Sequence, residues 1–231
     1  SLGAPYGPIC ENASSITLTG SPVDGTWSGD GVIDGSLGNG TFDPTGLSGL
    51  TKVYYQFTDA NNCSSIDSTS ILVNPTPILD LGGPYAPICN NLPAFSVFAS
   101  PIGGNWSGIG ITNIGAGEAS FNPNGLSGDI KIYYTFTDLA TSCVNIDSTT
   151  ITVYPTTQAN AGSDITVCEN ITPITLIGIP TDNLGEWTGT AVSDLGTGMA
   201  TFNPSTATAG THEVYYTYTD INGCVDKDTT I

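Results

Sequence analysis

The sequence contains no arginine. Against 21 Asp and Glu stand only Lys52, Lys131 and Lys227 and one histidine, His212, for a net charge of −18. Such a field repels phosphate backbones and anionic headgroups, which excludes nucleic acid and anionic lipid as partners. Long apolar runs are missing as well. No stretch approaches the roughly 18 consecutive apolar residues of a membrane helix, so no membrane insertion is expected. The N-terminus lacks a basic region followed by an apolar one, and any export signal is expected to have been removed. The six cysteines include no Cys-x-x-Cys pair and only His212 could join them, which argues against zinc. No Gly-x-Ser-x-Gly, His-Glu-x-x-His or phosphate-cradling loop occurs, so no catalytic residue is nominated and the chain reads as a non-enzyme. A paired-carboxylate hydrolase stays open, because such pairs are set by folding and not by spacing.

What is present is repetition. Low charge and much Thr, Ser and Gly could suggest disorder, but 39% apolar content with evenly spaced aromatics calls for packed cores. "GTWSGDGV" at 25–32 returns as "GNWSGIGI" at 104–111 and as "GEWTGTAV" at 185–192. Cys10, Cys89 and Cys168 recur at intervals of 79, and "TFDP" (41–44) reappears as "SFNP" (120–123) and "TFNP" (201–204). "VYYQFTD" (53–59), "IYYTFTD" (132–138) and "VYYTYTD" (214–220) are each followed closely by Cys63, Cys143 or Cys224. The chain is a tandem array with a period of about 80 residues.

Within a unit, segments of five to eight residues run between Gly, Pro, Asn and Asp clusters, and no 3.6-residue apolar period persists. The expected class is all-β, three tandem immunoglobulin-like sandwiches, each with one disulfide. Val53/Tyr55/Phe57, Ile132/Tyr134/Phe136 and Val214/Tyr216/Tyr218 each share one strand face, which is predicted buried, and Ile16/Leu18, Phe95/Val97 and Ile174/Leu176 supply a facing strand. The Pro after Asp43, Asn122 and Asn203 marks a turn. Boundaries at "VNPTP" (73–77) and "VYPTT" (153–157) divide the chain into repeats 1–76, 77–156 and 157–231. Short Pro-stiffened linkers favour a semi-rigid rod of roughly 100 Å. The third unit stops at "TTI" after Asp228 where the others continue, so its last strand is expected to be incomplete, as in a fragment of a longer array or a unit completed by a strand from elsewhere.

Pairing within each unit joins Cys10 to Cys63, Cys89 to Cys143 and Cys168 to Cys224, a framework that implies an oxidising, extracytoplasmic location. Each bridge closes about 50 residues and is expected to restrict the unfolded chain by roughly 4 kcal/mol, near one end of the sandwich. Trp27, Trp106 and Trp187 have two readings. Each closes the core at a sheet edge, with Gly29, Gly108 and Gly189 allowing a bend, or offers a stacking face to a glycan. Their neighbours Thr26, Asn105 and Glu186 vary, whereas a sugar site would hold polar partners constant, so the core reading is preferred. Asp24, Asp30 and Asp34 are the sole Ca²⁺ candidates, and Gly103, Ile109 and Asn113 replace them in the second copy, so no cofactor is expected of the repeat itself. Asp59, Asp138 and Asp220 read as turn formers.

The succession Cys, Trp-Ser-Gly, Phe-Asn/Asp-Pro, Tyr-Tyr-x-Phe/Tyr-Thr-Asp, Cys resembles the immunoglobulin-like repeats of very large secreted surface proteins of Bacteroidota, among them gliding-motility adhesins. The resemblance covers all three units and implies a non-catalytic stalk of a cell-surface adhesin. Its partners would be further repeats of the same polypeptide, surface polysaccharide or like subunits. The runner-up readings are a subunit of a self-assembling filament and a glycan-binding accessory module of a secreted polysaccharide-degrading enzyme. The same resemblance implies O-glycosylation at Asp-Ser/Thr-x, here Ser68, Ser148 and Thr229, which alternation places on the outer face. The N-x-S/T triplets at Asn12, Asn39, Asn62, Asn105 and Asn170 keep no full three-copy register.

Overall fold

A computed structural model describes residues 1–3 and 5–231. Alternating β-branched and aromatic residues, interrupted by Gly, Pro and Asx turns, form strands almost throughout. The first unit contains β1 (Ile9–Cys10), β2 (Ile16–Thr19), β3 (Thr26–Gly29), β4 (Val32–Asp34), β5 (Asn39–Phe42), β6 (Gly49–Thr58) and β7 (Ser64–Asn74). They make two sheets, β1-β7-β6-β3 and β2-β5-β4. β1 runs parallel to the end of β7, with Ile9 opposite Val73 and Cys10 opposite Asn74, while all other pairs are antiparallel. Upstream of β1, Leu2 bridges Gly20, so the first segment touches one sheet and then joins the other.

The second unit repeats this with β8 (Ile88–Cys89), β9 (Phe95–Phe98), β10 (Asn105–Gly108), β11 (Ile111–Gly115), β12 (Glu118–Phe121), β13 (Gly128–Thr137) and β14 (Val144–Tyr154), in sheets β10-β13-β14-β8 and β11-β12-β9. The third has β15 (Ile174–Ile177), β16 (Gly185–Gly189), β17 (Val192–Asp194), β18 (Met199–Phe202), the single-turn α1 (Pro204–Ala207), β19 (Val214–Thr219) and β20 (Val225–Thr230). Its sheets are β15-β18-β17 and β16-β19-β20. The protein is therefore all-β, built as three immunoglobulin-like sandwiches.

Each sandwich closes over its own core. In the first, Leu18, Phe42, Val53, Ile71 and Val73 are essentially inaccessible and pack with Trp27 and Tyr55. The predicted faces appear as expected: Val53 and Tyr55 are buried and Phe57 packs at the margin, and the same holds for Ile132, Tyr134 and Phe136. The Asx-Pro turns form as local hydrogen-bonded bends, with Asp43 and Asn122 accepting from the N–H two residues on at 3.0 Å. In the third unit Asn203 caps α1 in the same way.

Candidate functional sites: the buried Trp loops and the joints between units

Trp27, Trp106 and Trp187 are 2, 3 and 2% exposed. Each indole Nε1 donates to a main-chain oxygen, of Gly38 at 2.9 Å, Gly117 at 2.8 Å and Gly198 at 3.0 Å. Each ring lies 5.0 to 5.2 Å from that of Tyr55, Tyr134 or Tyr216. With both faces packed and the only polar atom satisfied, these indoles present no surface to a sugar ring. The tyrosines are equally engaged. The Tyr134 hydroxyl accepts from Gly104 N–H at 2.8 Å and donates to Pro101 O at 2.7 Å, and Tyr55 does the same with Gly25 and Pro22. This explains a feature that the Trp motif carried unread, the Gly two residues before each Trp. A Cβ on Gly104 would come within 2.5 Å of the Tyr134 ring. The Gly two residues after each Trp has positive φ, 134° at Gly29 and 137° at Gly108, and so makes the bend assigned to it.

The Ca²⁺ candidates do not gather: among the described residues no three His, Cys, Asp or Glu side chains form a cluster fit for a metal ion. Asp34 instead accepts from the Trp27 main-chain N–H at 2.7 Å, a role taken by Asn113 and Asp194 beside the other two tryptophans. Asp59 and Asp220 form the expected turns, each accepting at 2.9 Å from the N–H of the cysteine four residues on, and Asp138 accepts from Ala140 N–H at 2.8 Å. Ser68 lies opposite Tyr54, Ser148 opposite Tyr133 and Thr229 opposite Tyr215, all on the outer sheet face. Ser68 and Ser148 are half-buried and Thr229 is exposed.

The cysteine pairing differs from the expected one, and the expectation of one disulfide within each unit is corrected. Cys10 bonds Cys143 and Cys89 bonds Cys224, with Cα–Cα separations of 5.6 and 5.5 Å, while Cys63 and Cys168 are unpaired. The reason lies in strand register. Cys10 stands beside Asn74 at the end of β7, whereas Cys63 immediately precedes Ser64 at its start. The 11 residues of β7 separate the two by roughly 35 Å, far beyond the ~7 Å Cα–Cα reach of a disulfide. The two cysteines of a unit thus occupy opposite ends, and the first of one unit meets the second of the next.

Both joints use the same chemistry. Asn12 and Asn91, two residues after the first cysteine, donate through Nδ2 to the carbonyls of Val144 and Val225, one residue after the second, both at 2.8 Å. The residue between, Glu11 or Asn90, accepts from a linker N–H, of Thr76 at 3.4 Å or Thr156 at 3.0 Å. Asn145 Nδ2 adds a bond to Pro77 O at 2.9 Å. A joint therefore has two covalent connections, the Pro-containing linker and the disulfide, with side-chain amides between them. Asn12, one of the N-x-S/T triplets that keep no three-copy register, belongs to this joint.

The third unit carries a partly open cavity of about 440 Å³ lined by Ile165, Val167, Ile174, Phe202, His212 and Ile231 among others. Thr230 pairs with Val214 as Thr69 pairs with Val53, so the chain holds no counterpart in this unit of Ile71 and Val73, which fill the core of the first. The carboxylates Asp164 and Glu169 line it beside these apolar side chains.

No family model and no curated protein matches the chain. Solved structures of low similarity include extracellular domains 3–5 of Drosophila OTK, at 9% identity over 98% of this chain and 93% of that one, TM-score 0.33. SGBP-B of the Bacteroides ovatus mixed-linkage glucan utilization locus, in complex with a mixed-linkage heptasaccharide, has 16% identity over 98% of this chain and 65% of that one, TM-score 0.25. A Ca²⁺-stabilized adhesin with which an Antarctic bacterium binds ice has 14% identity over 96% and 69%, TM-score 0.35. Likeness at this level adds nothing to the topology already described.

Proposed function

We propose that the chain is a non-catalytic spacer of a large extracellular cell-surface protein, adhesin-like and of Bacteroidota type, with units spanning 1–76, 77–156 and 157–231. The observation that carries this reading is the disulfide in each joint. Disulfides inside units serve many functions, but bonds that tie successive units end to end, in one register, serve to hold their relative orientation. The packed Trp loops support a scaffold over a glycan-binding role for those residues. The disulfides also support an oxidising, extracellular setting.

Small-angle scattering on the native chain and on a Cys10→Ser/Cys89→Ser variant tests it. The native protein is expected to give a single extended shape with a sharp maximum dimension, and the variant a broader distribution at unchanged unit content. If both scatter as freely jointed units, the spacer reading is wrong.

A further inference from the structure

The sequence contains three Asn-Gly pairs, Asn39-Gly40, Asn124-Gly125 and Asn222-Gly223. Asn is thermolabile, and most so before Gly, because with no Cβ in the way the next main-chain nitrogen can reach the Asn side-chain carbonyl carbon. The fold treats the three pairs differently. Asn39 and Gly40 lie within β5, which is paired on both sides by β2 and β4, and Gly40 is buried against the Trp27 ring. Gly223 N–H donates to Asp220 O at 3.0 Å, in a turn that Asp220 Oδ1 also holds through the N–H groups of Asn222 and Cys224. Asn124 and Gly125 are both exposed, at the centre of a turn closed by Leu126 N–H to Pro123 O at 3.0 Å. Among the described residues Gly125 N–H has no acceptor, and the Asn124 side-chain amide makes no hydrogen bond. Thr45-Gly46 and Ser205-Thr206 occupy this place in the other two units.

We propose that Asn124 is a site of spontaneous deamidation and that its conversion loosens the second joint. Gly125 N attacks Asn124 Cγ. The N–Cγ bond forms, the Cγ–Nδ2 bond breaks, and the amide nitrogen leaves as ammonia with the proton from Gly125. Water then opens the cyclic imide at either carbonyl, giving Asp or its iso form, in which the main chain runs through the side-chain carboxyl. Asn124 lines a cavity of about 230 Å³ with Asn90, Asn91, Thr156, Gln158 and Asp226. These neighbours hold the second joint, since Asn91 donates to Val225 O and Asn90 accepts from Thr156 N–H. A carboxylate at position 124 shares that cavity with Asp226, and like charges repel where an amide and a carboxylate do not. The iso form also lengthens the turn. Both products act at the joint that Cys89 and Cys224 tie, whereas Thr45 leaves the first joint with no amide to lose here. The step rests on turn geometry and holds whether or not the array serves as a spacer.

The test ages the native chain, with its two disulfides intact, in mildly alkaline buffer and follows each Asn-Gly pair by peptic mapping and mass spectrometry. Asn124 is expected to convert about tenfold faster than Asn39 or Asn222, the rate equivalent of one hydrogen bond on the attacking N–H. In the reduced chain unfolded in urea the three rates should come together. Similar rates in the native chain, or an Asn124 that stays an amide there while the unfolded chain converts, would overturn the proposal. Converted protein, separated by anion exchange, should lose the Cys89–Cys224 bridge to reductant several-fold faster than unaged protein, with Cys10–Cys143 unchanged. Asn124→Gln keeps an amide but disfavours the ring, and should hold the reduction of both bridges steady through ageing. Equal reduction of the second bridge before and after conversion would show that the joint is not loosened and the proposal is wrong.

Discussion

At the scale of single residues, each unit is organised around one Trp–Tyr pair whose polar atoms all terminate on main chain of neighbouring loops. Removing the indole takes away a large buried side chain and one of the two donors to Gly117 O, leaving only Ala99 N–H. Trp106→Ala is therefore expected to destabilise the second unit by about 3–5 kcal/mol. Thermal unfolding should show that unit melting well over ~10 °C lower, given roughly 4–8 °C per kcal/mol for a domain of this size. An unchanged melting profile would mean that the tryptophan is not in the core. This role was legible in the sequence, because Trp recurred while its neighbours varied. The role of the preceding Gly was not, since only the fold brings the Tyr134 hydroxyl beside it.

At the scale of elements, the end of each unit is set by how the first segment lies against the last strand. In the third unit this attachment runs through carboxylates of β20: Asp226 and Asp228 accept from Ala159 and Ala161 N–H, both at 2.8 Å. The Ala161 N–H, and after it the Thr229 N–H, hold the Asp228 carboxyl below its ordinary value. A carboxyl more acidic in the folded than in the unfolded chain contributes stability above its unfolded pKa, and that contribution is lost as the pH falls through the folded pKa. The third unit is thus expected to lose stability on acidification below about pH 4, and Asp228→Asn to flatten that part of the pH profile. Equal acid sensitivity in the variant would assign the effect to other carboxylates.

Strand order also explains why the disulfides were misread. The sequence shows six cysteines in register, two per unit, and both the parallel pairing of the short first strand and the length of the last lie outside it. Placing Cys10 at the end of β7 and Cys63 at its start needs both. Alternation along the paired strands, by contrast, was legible residue by residue, because a one-residue slip would have turned Val53 and Tyr55 to solvent.

At the scale of the whole molecule, the cysteines stabilise the relation between units and not the units themselves. The first two cores are complete without sulfur, as the first shows with Leu18, Trp27, Phe42 and Val73 all buried and Cys63 unpaired. Reduction of the native chain is therefore expected to leave the melting of the first two units within a few degrees of its starting value. Scanning calorimetry with and without reductant measures this directly. Collapse of those transitions on reduction would restore the disulfide to a role inside the unit. The all-β class and the threefold repeat were legible at this scale, whereas the joints were not, because contacts across them come from residues more than 130 positions apart.

The double connection at each joint has a mechanical consequence. Pulled from its two ends, the polypeptide cannot pay out its full contour. Tension runs from the N-terminus to Cys10, crosses to Cys143, returns through the second unit to Cys89, and crosses again to Cys224. Even with every sandwich unravelled, the taut path contains only roughly 70 residues, or ~250 Å, against ~800 Å for the same thread without its bridges. Most of the first and third units hang slack outside that path, so after a sudden load they are free to refold while the line holds.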